Sequence, residues 1–260
     1  MNFIKKIALI IALLLLPLMV SPTNAVEKKI TAPIVPSRLP FNPGEKLVYD
    51  VKYLGVSAGT SVLAVLDAIK MNGRLVYPLL SIAQTGDFSS VFYSVNDRIE
   101  SYLDVDGLYS RAIKVKLQEG KKKREKQIEF NQVEHKAIHV ENGKQEVFDI
   151  PENVNDSLSV LYVFRTKPLT IGTSVFFDVH DSRKNWKLEV AALDKESVTT
   201  PIGIFDTIKV QATRYYEGHP SDKGSLTIWV TDDDKKIPVQ IKSKLKMGSI
   251  ITTLISRRDQ

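Results

Sequence analysis

The stretch LVYDVKYL (residues 47–54) indicates the fold class, because its apolar and polar residues alternate with a period of two. In an extended chain Leu47, Tyr49, Val51 and Tyr53 share one face, and charged residues lie on the other. This alternation is typical of a β-strand with one face in the core and one in solvent. The stretch therefore predicts a half-buried strand.

The same alternation returns along the rest of the chain. Residues 109–117 and 239–247 each place aliphatic side chains on one face and lysines on the other. Turn-forming residues separate these runs, at 71–73, 104–107, 119–120, 141–143, 201–203, 218–220 and 232–234. Strands of modest length joined by tight turns are typical of antiparallel sheets. We therefore predict an all-β fold, either a curved antiparallel meander or a half-open, barrel-like sheet.

One segment departs from the strand pattern and predicts a helix. Residues 155–157 (Asn-Asp-Ser) can cap a helix, Leu158 and Leu161 follow at helical spacing, and Pro168 lies just beyond the end. We predict one short helix near residues 156–165 that plugs or flanks the curved sheet.

The first 25 residues have the pattern of a secretory signal peptide. Lys5 and Lys6 precede an apolar run, and small residues follow it up to Ala25. The run is short for a membrane span, which needs about 20 residues. We therefore expect cleavage between Ala25 and Val26, and not a retained membrane anchor.

Composition narrows the class of protein. Loss of the signal peptide lowers the formal net charge from +6 to +4. The mature protein is therefore only mildly basic, and its charge gives no reason to expect nucleic acid as a partner. Cysteine is absent, which excludes disulfides. Residues 26–44 contain four prolines and predict an extended arm, followed by a single β domain at 45–260. We expect a periplasmic protein with at most peripheral membrane contact.

The segment GVSAG (residues 55–59) matches G-x-S-x-G, the pattern around the nucleophilic serine of many hydrolases. That motif needs a buried parallel strand before the serine and a helix after it. Here the preceding run is half exposed, and residues 60–69 are rich in β-branched side chains that favour a strand. A serine hydrolase using Ser57 is therefore the weaker alternative, and the two glycines predict a bend or bulge.

No other group of residues predicts chemistry. His135 and His139 would lie about 13 Å apart on a strand, too far to share a metal ion, and we interpret them as part of a solvated strand face. Residues 104–107 and 232–234 are acidic turns. The basic run at 121–126 predicts a solvated hairpin, with binding of lipid or lipopolysaccharide phosphates as the alternative. We predict no catalytic residues, no metal and no cofactor.

Five segments, in order, resemble a known family. They are FNPGEKLVYDVKYLGVSAGTS (41–61), VNDRIESYLD (95–104), NDSLSVLYVFRTKPLTIG (155–172), TPIGIFDTIKV (200–210) and IWVTDDDKKIPVQIKSKLKMGSIITTL (228–254). Together they are similar to an exported bacterial family known as domain of unknown function DUF3108. The resemblance implies an all-β envelope protein of Gram-negative bacteria with a small helix and no established reaction. Gly59 belongs to the shared pattern, whereas Ser57 does not.

We predict a non-enzymatic envelope protein that binds a lipid, a glycolipid or another apolar ligand inside a concave sheet. The expected ligand-binding residues are Tyr49, Tyr53, Tyr162, Arg165 and Trp229. Two interpretations of Arg165 remain open: a buried ion pair, since Asp156 is also charged beside the apolar helix, or a site for an anionic headgroup. The alternative functions are a structural or protein-interaction module of the envelope that uses the arm and the sheet edges, and an integral outer-membrane barrel.

Overall fold

The computed structural model describes residues 39–86, 94–221, 225–245 and 248–258. The signal peptide, the cleavage site between Ala25 and Val26, and the arm as far as residue 38 lie outside these residues and stay predictions.

Within the described residues the chain forms sixteen β-strands and one helix. The elements are β1 (Lys46–Tyr53), β2 (Val56–Val65), β3 (Ile69–Met71), β4 (Arg74–Thr85), β5 (Asn96–Asp104), β6 (Ser110–Glu119), β7 (Lys122–Asn131), β8 (Lys136–Glu141), β9 (Lys144–Asp149), α1 (Ser159–Arg165), β10 (Ser174–Asp181), β11 (Lys184–Thr200), β12 (Gly203–Tyr216), β13 (His219–Pro220), β14 (Leu226–Thr231), β15 (Pro238–Lys244) and β16 (Ser249–Arg258). The predicted turns at 104–107, 119–120, 141–143 and 232–234 fall between strands, as expected.

All strands belong to one sheet, whose neighbours pair in an antiparallel sense. Its order is β10-β11-β12-β14-β15-β16-β1-β2-β4-β5-β6-β7-β8-β9, with β3 beside β4 and β13 beside β12. The sheet therefore consists of two meanders, one from each half of the chain, joined where β1 pairs with β16. The predicted antiparallel meander is confirmed.

The sheet curls until its two ends approach each other without closing. No ladder joins β9 to β10 in the described residues, and side chains bridge the gap instead. Lys126 Nζ of β7 lies 2.7 Å from Asp181 Oδ1 of β10, and Asn185 Nδ2 of β11 donates a hydrogen bond of 2.8 Å to the Asp149 carbonyl of β9. The predicted half-open, barrel-like sheet is confirmed.

The helix α1 covers the inner face of this curled sheet. Its residues Val160, Val163 and Phe164 are buried in an apolar core that includes Leu47 of β1 and Val210 of β12. The predicted helix is confirmed, although it has seven residues and begins at Ser159. In the part of the chain that the structure describes, no helix has the length and apolarity needed to cross a membrane.

Residues 156–158 form a cap before the helix, which explains its later start. Asp156 Oδ1 accepts hydrogen bonds from the backbone N–H of Leu158 and of Ser159, at 2.8 and 2.9 Å. These donors have no partner within the helix, so the carboxylate satisfies them. The other oxygen, Oδ2, accepts from Ser101 and Ser110 at 2.5 and 2.7 Å, which fastens the cap to β5 and β6.

A β-bulge at the GVSAG segment positions β2 between its neighbours. Gly59 lies opposite Val51, whereas the next pair skips Ala58, so Ala58 is the extra residue of the bulge. A Cβ atom on Gly59 would overlap the Gln84 carbonyl oxygen and come within 2.8 Å of Thr85 Cα on β4. Glycine at 59 is therefore required by the close approach of β4, and the predicted bulge is confirmed.

Candidate functional site

A cavity of about 170 Å³ lies between the inner face of the sheet and α1. Most of its wall is aliphatic or aromatic: Tyr49, Val51 and Leu63 on β1 and β2, Leu188 and Val190 on β11, Leu226, Ile228 and Ile241 on β14 and β15, and Leu158, Val160, Leu161 and Phe164 at the helix. Few polar atoms face the space, so the wall suits an apolar molecule.

Small side chains leave this space unfilled. Ala58, Gly59, Ala83 and Ala212 all belong to the wall, and they lie on β2, β4 and β12. Protein interiors are usually packed as densely as organic crystals. A cavity here follows from small residues on the sheet facing a single short helix, which cannot fill the curled sheet alone.

The cavity reaches the surface at one part of its wall. Ala83 and Thr85 on β4 and Ser157 before α1 contribute to the wall and are half buried. By contrast, Val51, Leu63 and Val190 are buried. The least buried part of the inward wall therefore lies between the end of β4 and the residues that precede the helix.

Three buried polar side chains interrupt the apolar wall: Ser61, Arg214 and Thr252. Thr252 Oγ1 has no hydrogen-bond partner among the described residues, although Thr252 is only 3% exposed. The Arg214 guanidinium carbon lies 4.3 Å from the centre of the Trp186 ring. Burial lowers the pKa of Arg214, and the negative charge of Asp181 opposes that shift.

Among the predicted ligand-binding residues, Tyr49 lies in the cavity wall. Its hydroxyl donates a hydrogen bond of 2.9 Å to the Pro238 carbonyl, and burial raises the pKa of Tyr49. The other four predicted residues lie outside the wall: Tyr53, Tyr162, Arg165 and Trp229. The structure thus does not bring the predicted set together.

Trp229 faces away from the cavity because of strand alternation. Its neighbours Ile228 and Val230 belong to the main core, so Trp229 must point to the opposite face of β14. There it packs with Val198 and Val239 in a separate small cluster. Its indole N–H donates a hydrogen bond to the carboxylate of Glu196.

Of the two interpretations of Arg165 given above, the structure shows the buried ion pair. The partner of Arg165 is Glu45 and not Asp156. Arg165 Nη1 and Nη2 donate to the two carboxylate oxygens of Glu45 at 2.7 and 2.8 Å. Its Nε and Nη2 also donate to the carbonyl oxygens of Lys235 and Pro40, both at 2.9 Å. With 1% of the residue exposed, these contacts direct the guanidinium into the protein and away from the cavity.

Tyr162 lies beside this ion pair and not in the cavity. Its ring makes an edge-to-face contact with Phe41 at 5.2 Å between centres, and the Arg165 guanidinium lies 5.5 Å from the ring centre. Burial raises the pKa of Tyr162. Phe41, at the end of the arm, is 2% exposed. Its contact with Tyr162 therefore joins the arm to the helix.

The prediction of a solvated strand face is wrong for His139. This residue is 4% exposed, and its Nε2 lies 2.7 Å from Nε2 of His180 on β10. Burial, and next the charge of His180, lower the pKa of His139 to about 3. The sequence carried no signal for this contact, because it joins β8 to β10 only when the sheet curls. Within the described ranges no group of three His, Asp or Glu residues could hold a metal ion.

Lys126 also departs from the predicted solvated hairpin. Lys122 and Lys123 are exposed as expected, but Lys126 is 7% exposed and paired with Asp181 across the gap between the sheet ends. The basic run therefore has two parts: an exposed hairpin tip and one buried cation that helps to hold the curl.

Ser57 lies on β2, which pairs with β1 on one side and with β4 on the other. It is exposed on β2, outside the cavity wall, and its hydroxyl donates a hydrogen bond of 2.6 Å to Asp50 Oδ1 on β1. The strand–turn–helix geometry that exposes a hydrolase nucleophile is not formed by this segment.

Comparison with protein families gives a match over most of the chain. Residues 48–255 match the family described as a protein of unknown function (DUF3108). This match confirms the resemblance stated from the five sequence segments. No curated protein matches the chain.

Comparison with solved structures gives the fold. The chain resembles a β-barrel-like protein of the DUF1849 domain from Brucella abortus, with a TM-score of 0.54, 9% identity, and coverage of 83% of this chain and 97% of the other. A Bacteroides fragilis protein assigned as exported, with a YmcC-like fold, gives 0.32 at 12% identity, covering 85% and 98%. A Parabacteroides distasonis protein assigned as a lipoprotein gives 0.34 at 12% identity, also covering 85% and 98%. Only the first likeness has a TM-score above 0.5, and at 9% identity it shows the fold alone.

Proposed function

We propose that this chain, which belongs to the DUF3108 family, is an exported, non-enzymatic protein of the bacterial envelope that binds a lipid or another apolar molecule. The apolar cavity between the curled sheet and α1 carries the proposal. Concave, largely apolar sites with a few polar groups are where proteins usually bind small molecules. The signal-peptide pattern of residues 1–25 supports export and a periplasmic location.

The size of the cavity limits what it holds. A cavity of about 150 Å³ binds one benzene ring, so about 170 Å³ accommodates a group of that size or a short alkyl segment. A longer ligand extends past the half-buried residues Thr85 and Ser157. A lipid with two acyl chains is too large to be enclosed.

The composition of the wall supports binding in preference to catalysis. Within the described residues, the wall contains no histidine, aspartate or glutamate that could act as a general base. Ser57 lies outside it. A fluorophosphonate probe should therefore label the wild-type protein no more than the Ser57→Ala variant, and selective labelling of the wild type would support the hydrolase alternative.

The direct test is mass spectrometry of molecules that co-purify with the protein. The mature protein is isolated gently from its own periplasm and extracted with organic solvent, and we expect an apolar ligand close to one per chain. Ala83→Phe, which places a ring in the cavity wall, should lower that amount severalfold. Ala191→Phe is the matched control, because this residue lies on β11 but outside the wall. Wild-type protein that is repeatedly empty would contradict the proposal.

A second candidate function is strand addition to a partner protein at β9. This strand is an end of the sheet in the described residues, and five of its six residues are exposed, with Val147 at 56%. Sheet ends can accept a strand from another protein, and at β9 such a strand would replace the contact of Asn185 with the Asp149 carbonyl. Crosslinking through a photoreactive residue at 147 in cells should then capture one envelope protein, whereas an unlabelled edge would remove this candidate.

A further inference from the structure

Among the described residues that line the apolar cavity, Arg214 is the only charged one. It lies on β12 opposite Leu188 of β11, and both residues contribute to the wall. Arg214 is 6% exposed, and Ala212, the next inward residue of β12, also lines the space. Because the surroundings are poorly solvated, the charge of Arg214 acts more strongly on a group entering the cavity than it would in water.

The guanidinium is held in place by its surroundings. It stacks over the Trp186 ring at 4.3 Å and experiences the negative charge of Asp181. Asp181 also accepts the hydrogen bond of 2.7 Å from Lys126, so this acid acts on two buried cations. A planar guanidinium fixed in this way is preorganised to bind an acidic group.

Thr252 provides a second polar point on the same wall. Its hydroxyl is buried and has no hydrogen-bond partner in the part of the chain that the structure describes. A buried hydroxyl without a partner costs free energy that a ligand can recover by hydrogen bonding to it. The remaining wall contacts are apolar, so the complementary molecule has a hydrocarbon body and a small polar part.

These observations point to one ligand class. We propose that the cavity binds a single-chain amphiphile with one anionic headgroup, and that Arg214 binds this headgroup. This inference rests on the proposed function and specifies its ligand. The cavity volume of about 170 Å³ favours one alkyl chain over two. Guanidinium groups form strong paired hydrogen bonds with carboxylates and phosphates alike.

The test compares two probes of equal chain length, octanoate and 1-octanol, by isothermal titration calorimetry of delipidated mature protein near neutral pH. There the octanoate carboxylate is ionised and 1-octanol is neutral. We expect octanoate to bind about tenfold or more tightly than 1-octanol, the range of a charge-assisted hydrogen bond. Arg214→Gln should remove this preference by weakening octanoate binding, and Arg214→Lys should retain part of it. Arg98→Gln, an exposed change outside the wall, is the control.

The outcomes separate the two proposals. Equal binding of both probes by the wild type, or full octanoate affinity in Arg214→Gln, would overturn the role of Arg214 and leave apolar binding in place. Absence of binding by either probe would overturn the proposed function itself. Where Arg214→Gln does not fold, equal binding of both probes by the wild type still overturns the role of Arg214, and Arg214→Lys supplies the second variant.

Discussion

Replacing Glu45 by glutamine removes the carboxylate that neutralises Arg165 inside the protein. Both residues are buried, at 5% and 1% exposure, and two hydrogen bonds of 2.7 and 2.8 Å join them. Breaking a buried ion pair by removing one partner usually costs about 3–5 kcal/mol, because the remaining charge has no counterion. Glutamine keeps one acceptor, so we expect a loss of about 3 kcal/mol in the free energy of unfolding. For a domain of this size that loss lowers Tm by roughly 6–12 °C.

Urea unfolding followed by circular dichroism measures this loss. The midpoint should fall while the slope with urea stays the same, since the folded surface does not change. Glu125→Gln is the control, because the ion pair of Glu125 with Lys116 is exposed, at 68% and 62% of the two side chains. This control should change the stability by less than about 0.5 kcal/mol.

The double variant Glu45→Leu with Arg165→Met extends the argument. With both charges removed, no uncompensated ion remains, and the protein should be more stable than the Glu45→Gln variant. A loss below about 1 kcal/mol for Glu45→Gln would refute the reasoning. It would mean that Arg165 does not depend on Glu45 and is balanced by another group.

Three further results follow from the structure. Burial lowers the pKa of His139 from 6.5 to about 3, so between these pH values the unfolded chain binds more protons at His139 than the folded chain. The free energy of unfolding should therefore fall as the pH drops from about 6.5 towards 3, by up to about 1.4 kcal/mol per pH unit. In urea unfolding, the midpoint of the His139→Gln variant should depend less on pH than that of the wild type. Gly59→Ala should cost about 1–3 kcal/mol, because the new methyl group overlaps β4. Gly86→Ala meets no atom of the described residues within 4 Å and should be nearly neutral in the same assay. Ala83→Phe should exclude octanoate in calorimetry, and Ala191→Phe should not.

The strands, the helix and the bulge could be predicted from the sequence because each depends on local patterns. Alternation in residues 47–54 predicted β1, and the glycines of residues 55–59 predicted a bulge, both confirmed. The cap residues and helical spacing predicted α1 within a few residues. Local sequence determines these features, because side-chain direction and turn geometry act over a few residues.

The side-chain contacts across the curl could not be predicted in this way. Lys126 with Asp181, and His139 with His180, join strands from opposite ends of the sheet order. The curvature of the sheet cannot be predicted from local sequence patterns, so neither of these two side-chain pairs could be predicted. For the same reason, the sequence did not indicate that Arg214 of β12 lines a cavity.

The pairing of β1 with β16 has a consequence for the order of folding. Each half of the sheet is built from hairpins between strands close in sequence, which can form early because little chain entropy is lost. The junction between the halves sets Lys46 opposite Arg258, so it forms only after nearly the whole domain is available. Until then β1 and β16 present unpaired edges, the state most exposed to misassociation. The slow, vulnerable step of folding therefore lies at the middle of the finished sheet.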